Sequence, residues 1–144
     1  VTAGYFRDEK ATHEAFRHGW FHSGDMCEFR EDGLRVMVDR YKDVVKSGGE
    51  NVSSLRVEAV VAQFPGVARV AVVGLPDARW GEMVTAVVVP RPGEAIDEAA
   101  LIAFCREWLA GFEAPKRVVL MDDLPTTVGG KVLKYKLRAT LAPG

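Results

Sequence analysis

The chain has few cysteines, almost no net charge and no long apolar run. Its two cysteines, Cys27 and Cys105, lie outside any CxxC or Cys/His pattern, so we interpret both as reduced core residues. The 19 basic and 20 acidic residues leave a net charge of -1, which argues against a dedicated nucleic-acid surface. The apolar runs are too short to span a bilayer. We therefore expect a cytoplasmic protein with no membrane-spanning segment.

Patterns for a metal site or an activated nucleophile are also missing. His18 and His22 are four residues apart, but Gly19 and Trp20 between them disfavour the continuous helix that a pair of metal ligands would need. No Ser/His/Asp or Cys/His arrangement suggests a nucleophile. We predict no metal ligands in this chain.

What the sequence does contain is typical of a globular domain. The 144 residues are 48% hydrophobic and 27% charged. A chain of this length buries roughly two-thirds of the surface that its unfolded form exposes. It begins Val-Thr-Ala-Gly-Tyr-Phe, without methionine and without a helix or strand signal, and we expect a fragment of a longer protein.

The N-terminal part carries signals for a short helix and a hairpin. Residues 8–17 favour a helix that Gly19 ends. Two apolar runs, 26–29 and 34–38, flank the turn Glu31-Asp32-Gly33 and predict a β-hairpin. A strand is expected at residues 43–46.

From residue 43 onward, strands and helices alternate. Ser53 or Ser54 can cap a helix that runs to Pro65, and Asp97 can cap a second helix that reaches Leu109. Runs rich in valine predict central strands covered on both faces. The predicted strands are 67–75, 83–89 and 118–121, with a polar loop at 76–82 and a last helix at 132–141. This order predicts an α+β fold, with helices packed on a small, mainly antiparallel sheet.

The stretch Asp39–Asn51 is the most informative part of the sequence. It sets Arg40, Lys42 and Lys46 close to the double glycine Gly48-Gly49. Such charges beside a bare-backbone turn suggest a binding site. A structural alternative stays open, because two glycines also suit a two-residue hairpin turn with solvated flanking charges.

Lys131 ends a loop of small residues, Pro-Thr-Thr-Val-Gly-Gly-Lys. A lysine presented from bare backbone can meet a phosphate as a point charge, and nearby amides can add hydrogen bonds. The loop does not match the Walker pattern, which needs glycine at Pro125 and a hydroxyl at Val132. A surface lysine after a turn is the alternative. We interpret the basic run Lys131–Arg138 as a solvated helix face.

Other candidate binding residues lie in predicted loops. Asp25 could accept hydrogen bonds from a vicinal diol such as a ribose, or could form an Asx turn. Trp80 beside Arg79, and Phe112 near Lys116, could stack a purine and hold its phosphates. The alternatives are a tryptophan that covers the end of the sheet and a phenylalanine in the core.

The order and spacing of these motifs resemble the later signatures of adenylate-forming acyl-CoA ligases, such as fatty-acid and 4-chlorobenzoate CoA ligases. The resemblance rests on residues 19–25, 39–51 and 124–133 and extends over the whole chain. It implies that residues 1–41 end the large N-terminal AMP-binding domain and that residues 42–144 form the mobile C-terminal lid domain. These enzymes join a carboxylate to ATP, release pyrophosphate, and pass the acyl group from the adenylate to coenzyme A.

The resemblance also implies roles in the adenylation step. Asp25 would hold the ribose hydroxyls, and Arg40 would contact the ribose and phosphate of AMP. Lys42 would be the hinge about which the lid rotates between the two half-reactions. Lys131 would bridge the α-phosphate and the carboxylate and stabilise developing negative charge.

A second set of residues is implied for coenzyme A. Gly48 and Gly49 would line the pantetheine passage, where a side chain would block the thiol. Trp80 and Phe112 match positions that pack on the adenine of coenzyme A in related ligases, and Lys116 would lie near its phosphates.

The sequence departs from the family pattern at several positions. Ala114 stands where some relatives have a basic residue, and Ser53–Arg56 replaces the usual proline and acidic residue before the helix. Lys46 stands where many relatives are aliphatic, and in some members a lysine there assists the second half-reaction.

The resemblance finally implies cofactors and partners. The complete enzyme would use ATP with Mg²⁺, coenzyme A and a carboxylic acid, and this chain would bind none of them tightly alone. The phosphate loop and the acyl pocket would belong to a missing N-terminal domain, so the isolated chain is expected to be inactive. The alternative is a free-standing, non-catalytic module that binds coenzyme A, a nucleotide or a partner protein.

Overall fold

The computed structural model describes residues 2–142. The chain divides after Lys42 into two compact units. Among the described residues, no helix is both long enough and apolar enough to cross a membrane.

Residues 2–42, the described part of the first unit, contain one α-helix and one hairpin. Helix α1 spans Glu9–Ala15, and the side chain of its N-cap Asp8 accepts a hydrogen bond from the amide of Ala11 at 2.9 Å. A 3-10 turn at Arg17–Gly19 follows. Strands β1 (Asp25–Phe29) and β2 (Arg35–Arg40) pair in the antiparallel sense. The helix and hairpin predicted here are both present.

The described part of the first unit, residues 2–42, has no apolar core of its own. Among residues 2–42 only Asp39 is buried, whereas Phe6 is 88% exposed and Trp20 76% exposed. Cys27 is exposed as well, so its assignment to a core was wrong. A two-stranded ribbon buries neither face unless another layer packs on it.

The second unit is an α+β domain, as predicted. Its strands are β3 (Val45–Ser47), β4 (Glu50–Val52), β5 (Val67–Asp77), β6 (Gly81–Pro90) and β7 (Arg117–Leu120). They form a five-stranded sheet in the order β4-β3-β6-β5, with β7 paired to β6. All pairs are antiparallel except β6 with β7. The helices are α2 (Ser54–Val61), α3 (Glu98–Trp108) and α4 (Lys134–Leu141).

Two apolar clusters cover the two faces of this sheet, which explains the near-continuous valine runs of β5 and β6. On one face, strand residues such as Val72 and Val84 pack with Val57 of α2 and Leu101 of α3. On the other face, the members are Ala71, Val73, Leu75, Val87, Val89, Leu124 and Leu137. Alternate strand residues therefore enter alternate cores, and the expectation of strands covered on both faces is confirmed.

Several predicted boundaries differ from the structure. Strand β4 was not predicted. Strands β5 and β6 extend through most of the expected polar loop, because their ladder continues to the pair Asp77–Gly81. Backbone hydrogen bonds carry this extension, and they do not depend on apolar side chains. Helix α2 ends at Val61 instead of Pro65.

Candidate functional site

In the first unit, Asp25 and Arg40 lie opposite each other at one end of the hairpin. The Nε of Arg40 is 3.7 Å from Oδ1 of Asp25, so the two residues expected to contact AMP form a partly exposed ion pair. Ser23 forms the turn before β1, because its Oγ accepts the amide of Asp25 at 3.2 Å. The contact that organises this turn comes from the hydroxyl of Ser23. An Asx turn at Asp25 was the alternative considered from the sequence.

A shallow pocket of about 330 Å³ lies beside this ion pair. It is lined by Ser23, Gly24, Arg40, Tyr41 and Lys42. Gly24 has a φ of +78°, and its carbonyl accepts the amide of Tyr41 at 2.9 Å. The pocket thus combines a guanidinium, a hydroxyl and backbone groups, which suit an anionic or polyhydroxyl ligand.

In the second unit, Gly48 and Gly49 form the two-residue turn between β3 and β4. Their φ angles are +63° and +87°, and the flanking residues Ser47 and Glu50 are paired. Two positive φ angles in a two-residue loop explain why glycine occupies both positions. The hairpin alternative is therefore right as a description of the backbone, and the thiol passage stays a prediction.

This hairpin lies close to Trp80. A Cβ atom on Gly48 would be 3.2 Å from Cε3 of the Trp80 ring, whereas a Cβ on Gly49 would meet nothing within 4 Å. The amide of Gly48 also donates to the carbonyl of Trp80 at 2.8 Å. The turn is thus packed on one side and open on the other.

Two cations lie over the Trp80 ring. Cζ of Arg79 is 4.8 Å from a ring centroid, and Nζ of Lys116 is 5.6 Å away. Asp77 holds this loop, because its Oδ1 accepts the amides of both Arg79 and Trp80 at 2.9 Å. A cation over an indole face is attracted by the ring quadrupole. The structure therefore brings Gly48, Trp80 and Lys116 together, as one site would require.

The ammonium group of Lys116 is held by backbone carbonyls, which the sequence did not indicate. Its ammonium donates to the carbonyl of Gly111 and, at 2.8 Å, to the carbonyl of Ala114. Burial, and to a lesser degree the charge of Arg106, lower the pKa of Lys116.

Phe112 is 39% exposed, so the core alternative for it was wrong. Within residues 2–142, Phe112 makes no aromatic pair with Trp80.

Lys131 lies at the end of a tight hairpin turn. Thr127 donates its amide to the carbonyl of Lys131 at 2.8 Å, and Gly130 donates to the carbonyl of Thr127 at 2.9 Å. Gly130 has a φ of +80°, and an antiparallel bridge between Thr126 and Val132 closes the loop. Lys131 is exposed, and no ion pair found among the described residues involves it. The turn thus presents an available cation on a defined backbone.

Lys136 of the basic run is exposed as predicted, but the prediction of a solvated face was wrong for Lys134 and Arg138. Nζ of Lys134 is 2.7 Å from Oε1 of Glu58 and 2.7 Å from Oγ of Ser54. Arg138 pairs with Asp43, with 3.1 Å between Nη2 and Oδ1. Helix α4 packs this side on the sheet because Leu137 is buried. The spacing of Lys134, Leu137 and Arg138 along one helix face was the signal available in the sequence.

The sheet topology, the double-glycine hairpin and the hairpin of Lys131 define the small C-terminal domain of an adenylate-forming enzyme. The family model for the AMP-binding enzyme C-terminal domain matches residues 56–131, more than half of the chain. The chain belongs to this family.

Curated relatives extend well beyond the matched region. The chain is 47% identical to 4-hydroxybutyrate–CoA ligase 2 of Metallosphaera sedula, over 96% of this chain and 25% of that ligase. It is 49% identical to feruloyl-CoA synthase of an Amycolatopsis species, over 96% of this chain and 28% of that synthase. The chain thus spans about a quarter of the length of these relatives.

Solved structures agree with this assignment. ATP-bound MatB from Rhodopseudomonas palustris matches 97% of this chain with a TM-score of 0.87 and 41% identity, and 28% of that chain is covered. The o-succinylbenzoate CoA synthetase MenE from Bacillus subtilis, in complex with the acyl-adenylate intermediate OSB-AMP, matches 96% with a TM-score of 0.88 and 32% identity, again over 28% of its length.

Proposed function

We propose that this chain is the C-terminal part of an ATP-dependent acyl-CoA ligase. The complete enzyme activates a carboxylic acid as an acyl-adenylate and transfers the acyl group to coenzyme A. The observation that carries the proposal is the hairpin of Lys131, which presents an exposed lysine without a described ion pair in a domain whose structural relatives include ATP-bound and acyl-adenylate-bound enzymes.

In the first half-reaction, a carboxylate oxygen attacks the α-phosphorus of ATP and pyrophosphate leaves. Negative charge accumulates on the phosphoryl oxygens and on the approaching carboxylate. The ammonium of Lys131 stabilises this charge, and a rigid turn is suited to the task because preorganised groups need no rearrangement during the reaction. Asp25 and Arg40 hold the ribose and phosphate of AMP.

Magnesium is expected to accompany ATP in the complete enzyme. Residues 2–142 hold no cluster of three or more His, Cys, Asp or Glu side chains that could bind a metal ion. No role assigned to the residues of this chain depends on the ion.

In the second half-reaction, the thiol of coenzyme A attacks the acyl carbonyl and AMP leaves. Gly48 and Gly49 line the path of the pantetheine arm, because their lack of side chains leaves one side of the turn open. Trp80 and Phe112 contact the adenine, and Lys116 contributes positive charge near the phosphates.

One pose of the second unit cannot serve both steps, because Lys131 and the Gly48-Gly49 turn belong to different hairpins. We assign the hinge to Lys42, the residue after which the chain divides into its two units. Rotation at this residue would present each hairpin in turn.

The proposed partner is the remainder of a large N-terminal domain. The apolar side chains exposed on the first unit, among them Phe6 and Trp20, would be covered by that domain. It would supply the acyl pocket and the phosphate loop, so the isolated chain would be inactive. The same exposed side chains argue against a free-standing module. The free thiols of Cys27 and Cys105 suit a cytoplasmic location.

The test uses the complete enzyme with Lys131→Ala. We expect adenylation, measured as pyrophosphate release, to fall by at least about 100-fold, the scale of losing one preorganised charge-stabilising group. Thioester formation from supplied acyl-adenylate should stay within a few-fold of wild type. The matched control is Lys136→Ala, which removes an exposed lysine on α4. Equal loss of both steps would contradict the role of Lys131.

A further inference from the structure

The Gly48-Gly49 hairpin joins β6 through a short backbone ladder. Strand β3 pairs with β6 through a single register position, Ser47 with Gly81. The amide of Gly48 donates to the carbonyl of Trp80 at 2.8 Å. The next amide toward the N-terminus that faces β6, that of Lys46, donates to a side chain instead of the backbone. Its acceptor is the carboxylate of Glu82, with 2.7 Å between N and Oε2.

Gly74 of β5 provides the space for this carboxylate. A Cβ atom on Gly74 would lie 2.9 Å from Cδ and Oε2 of Glu82, and 2.9 Å from Cγ1 of Val45. The φ of Gly74 is not in the left-handed region, so its backbone conformation does not require glycine. The need at this position is steric: a side chain would press on the carboxylate of Glu82, which contacts Lys46, and on Val45 of β3.

We infer that Glu82 is a positioning residue that fixes the Gly48-Gly49 hairpin against β6 through the amide of Lys46, and that Gly74 is needed to admit its carboxylate. The catalytic consequence rests on the proposed function. Because the hairpin lines the coenzyme A path, loss of this contact should impair thioester formation while adenylation by Lys131 continues.

The expected effect follows from the charge of the acceptor, the carboxylate of Glu82. Hydrogen bonds to ionised groups are shorter and stronger than those between neutral groups. Removing the carboxylate of Glu82 leaves the amide of Lys46 without this acceptor. We expect local opening of the hairpin to become about 10- to 100-fold more frequent.

The first experiment measures amide hydrogen exchange on the 144-residue chain, which does not depend on catalysis. Glu82→Ala should accelerate exchange by about 10- to 100-fold at Lys46 and Gly48. The long ladder of β5 and β6 should keep its protection. Glu82→Gln should restore most of the protection, because its amide oxygen can still accept the bond. Glu107→Ala, which removes an exposed carboxylate on α3, is the control.

A second variant perturbs the same contact from the opposite side. Gly74→Ala leaves Glu82 in the sequence but fills its space, so it should accelerate exchange at the same two amides. Normal exchange at Lys46 in Glu82→Ala would overturn the inference. So would an unchanged hairpin in a folded Gly74→Ala protein.

The third experiment measures both half-reactions in the complete enzyme. Glu82→Ala should lower the rate of thioester formation from supplied acyl-adenylate by about 10-fold, or raise the KM for coenzyme A to the same extent. Adenylation should stay within twofold, and Glu82→Gln should recover. Accelerated exchange without a change in thioester formation would overturn the catalytic part of the inference. Failure of the Lys131→Ala test would instead contradict the proposed function, and it would leave the exchange result standing.

Discussion

The ion pair between Lys134 and Glu58 ties α4 to α2 and gives the sharpest stability prediction. Lys134→Met removes the ammonium but keeps a long, helix-compatible side chain. It leaves Glu58 with one described partner, the amide of Val72, which donates to Oε1 at 2.8 Å. It also removes the bond from Lys134 to Ser54.

The magnitude follows from the burial of the pair. The side chains of Lys134 and Glu58 are only 12% and 18% exposed. Breaking a buried pair costs about 3–5 kcal/mol, whereas an exposed pair contributes about 0.2–1 kcal/mol. We expect the free energy of unfolding of the second unit to fall by about 2–3 kcal/mol. For a unit of this size, that corresponds to a drop in Tm of about 8–20 °C.

Urea denaturation followed by far-UV circular dichroism measures the effect, with Lys136→Met as the control on the same helix. Lys136 is exposed, so its substitution should change the free energy of unfolding by less than about 0.5 kcal/mol. A double-mutant cycle with Glu58→Gln isolates the pair, because glutamine can still accept the amide of Val72. We expect a coupling of about 1–2 kcal/mol.

Two results would refute this reasoning. Equal stability of Lys134→Met and Lys136→Met would mean that the pair contributes nothing beyond a surface charge. A coupling energy near zero, with both single variants destabilised, would mean that the two side chains act through separate contacts.

Two further predictions concern α3. Asp97→Ala removes the Oδ1 atom that accepts the amides of Ala99 at 2.8 Å and Ala100 at 3.1 Å, and should lower the free energy of unfolding by about 1 kcal/mol in urea titration. Burial raises the pKa of Cys105 from 9.0 to about 11. The unfolded chain therefore loses the thiol proton at a lower pH than the folded chain does. The free energy of unfolding should fall as the pH rises from 9.0 to about 11. Cys105→Ala should flatten the decline in unfolding midpoint, and an unchanged slope would contradict the assignment.

The sequence alone was sufficient for the fold class and for the turns on which several candidate residues lie. The predictions of the valine-rich strands, of the helix cap at Asp97 and of the turn glycines each used residues that are close together in the sequence. Gly48, Gly49 and Lys131 were recognised for the same reason, since turn chemistry is local. The roles of these residues in catalysis stay predictions.

Predictions of which side chains are buried or paired failed where the partner is distant in the sequence. Lys134 was expected in solvent and is paired with Glu58. The contact of Lys116 with the ring of Trp80 was not predicted. Cys27 was expected in a core and is exposed, because residues 2–42, as far as they are described, form no apolar core around its hairpin.

By itself, then, the sequence determined the order of elements, the alternation that puts β5 and β6 between two cores, and the turns that present the glycines and Lys131. Only the tertiary structure decided which charges are paired and what holds each turn. Lys46 meets Glu82 across 36 residues, and Lys134 meets Ser54 across 80. A periodic sequence pattern reports only on residues a few positions apart. Contacts between residues that are distant in the sequence form only when strand register and helix packing bring them together.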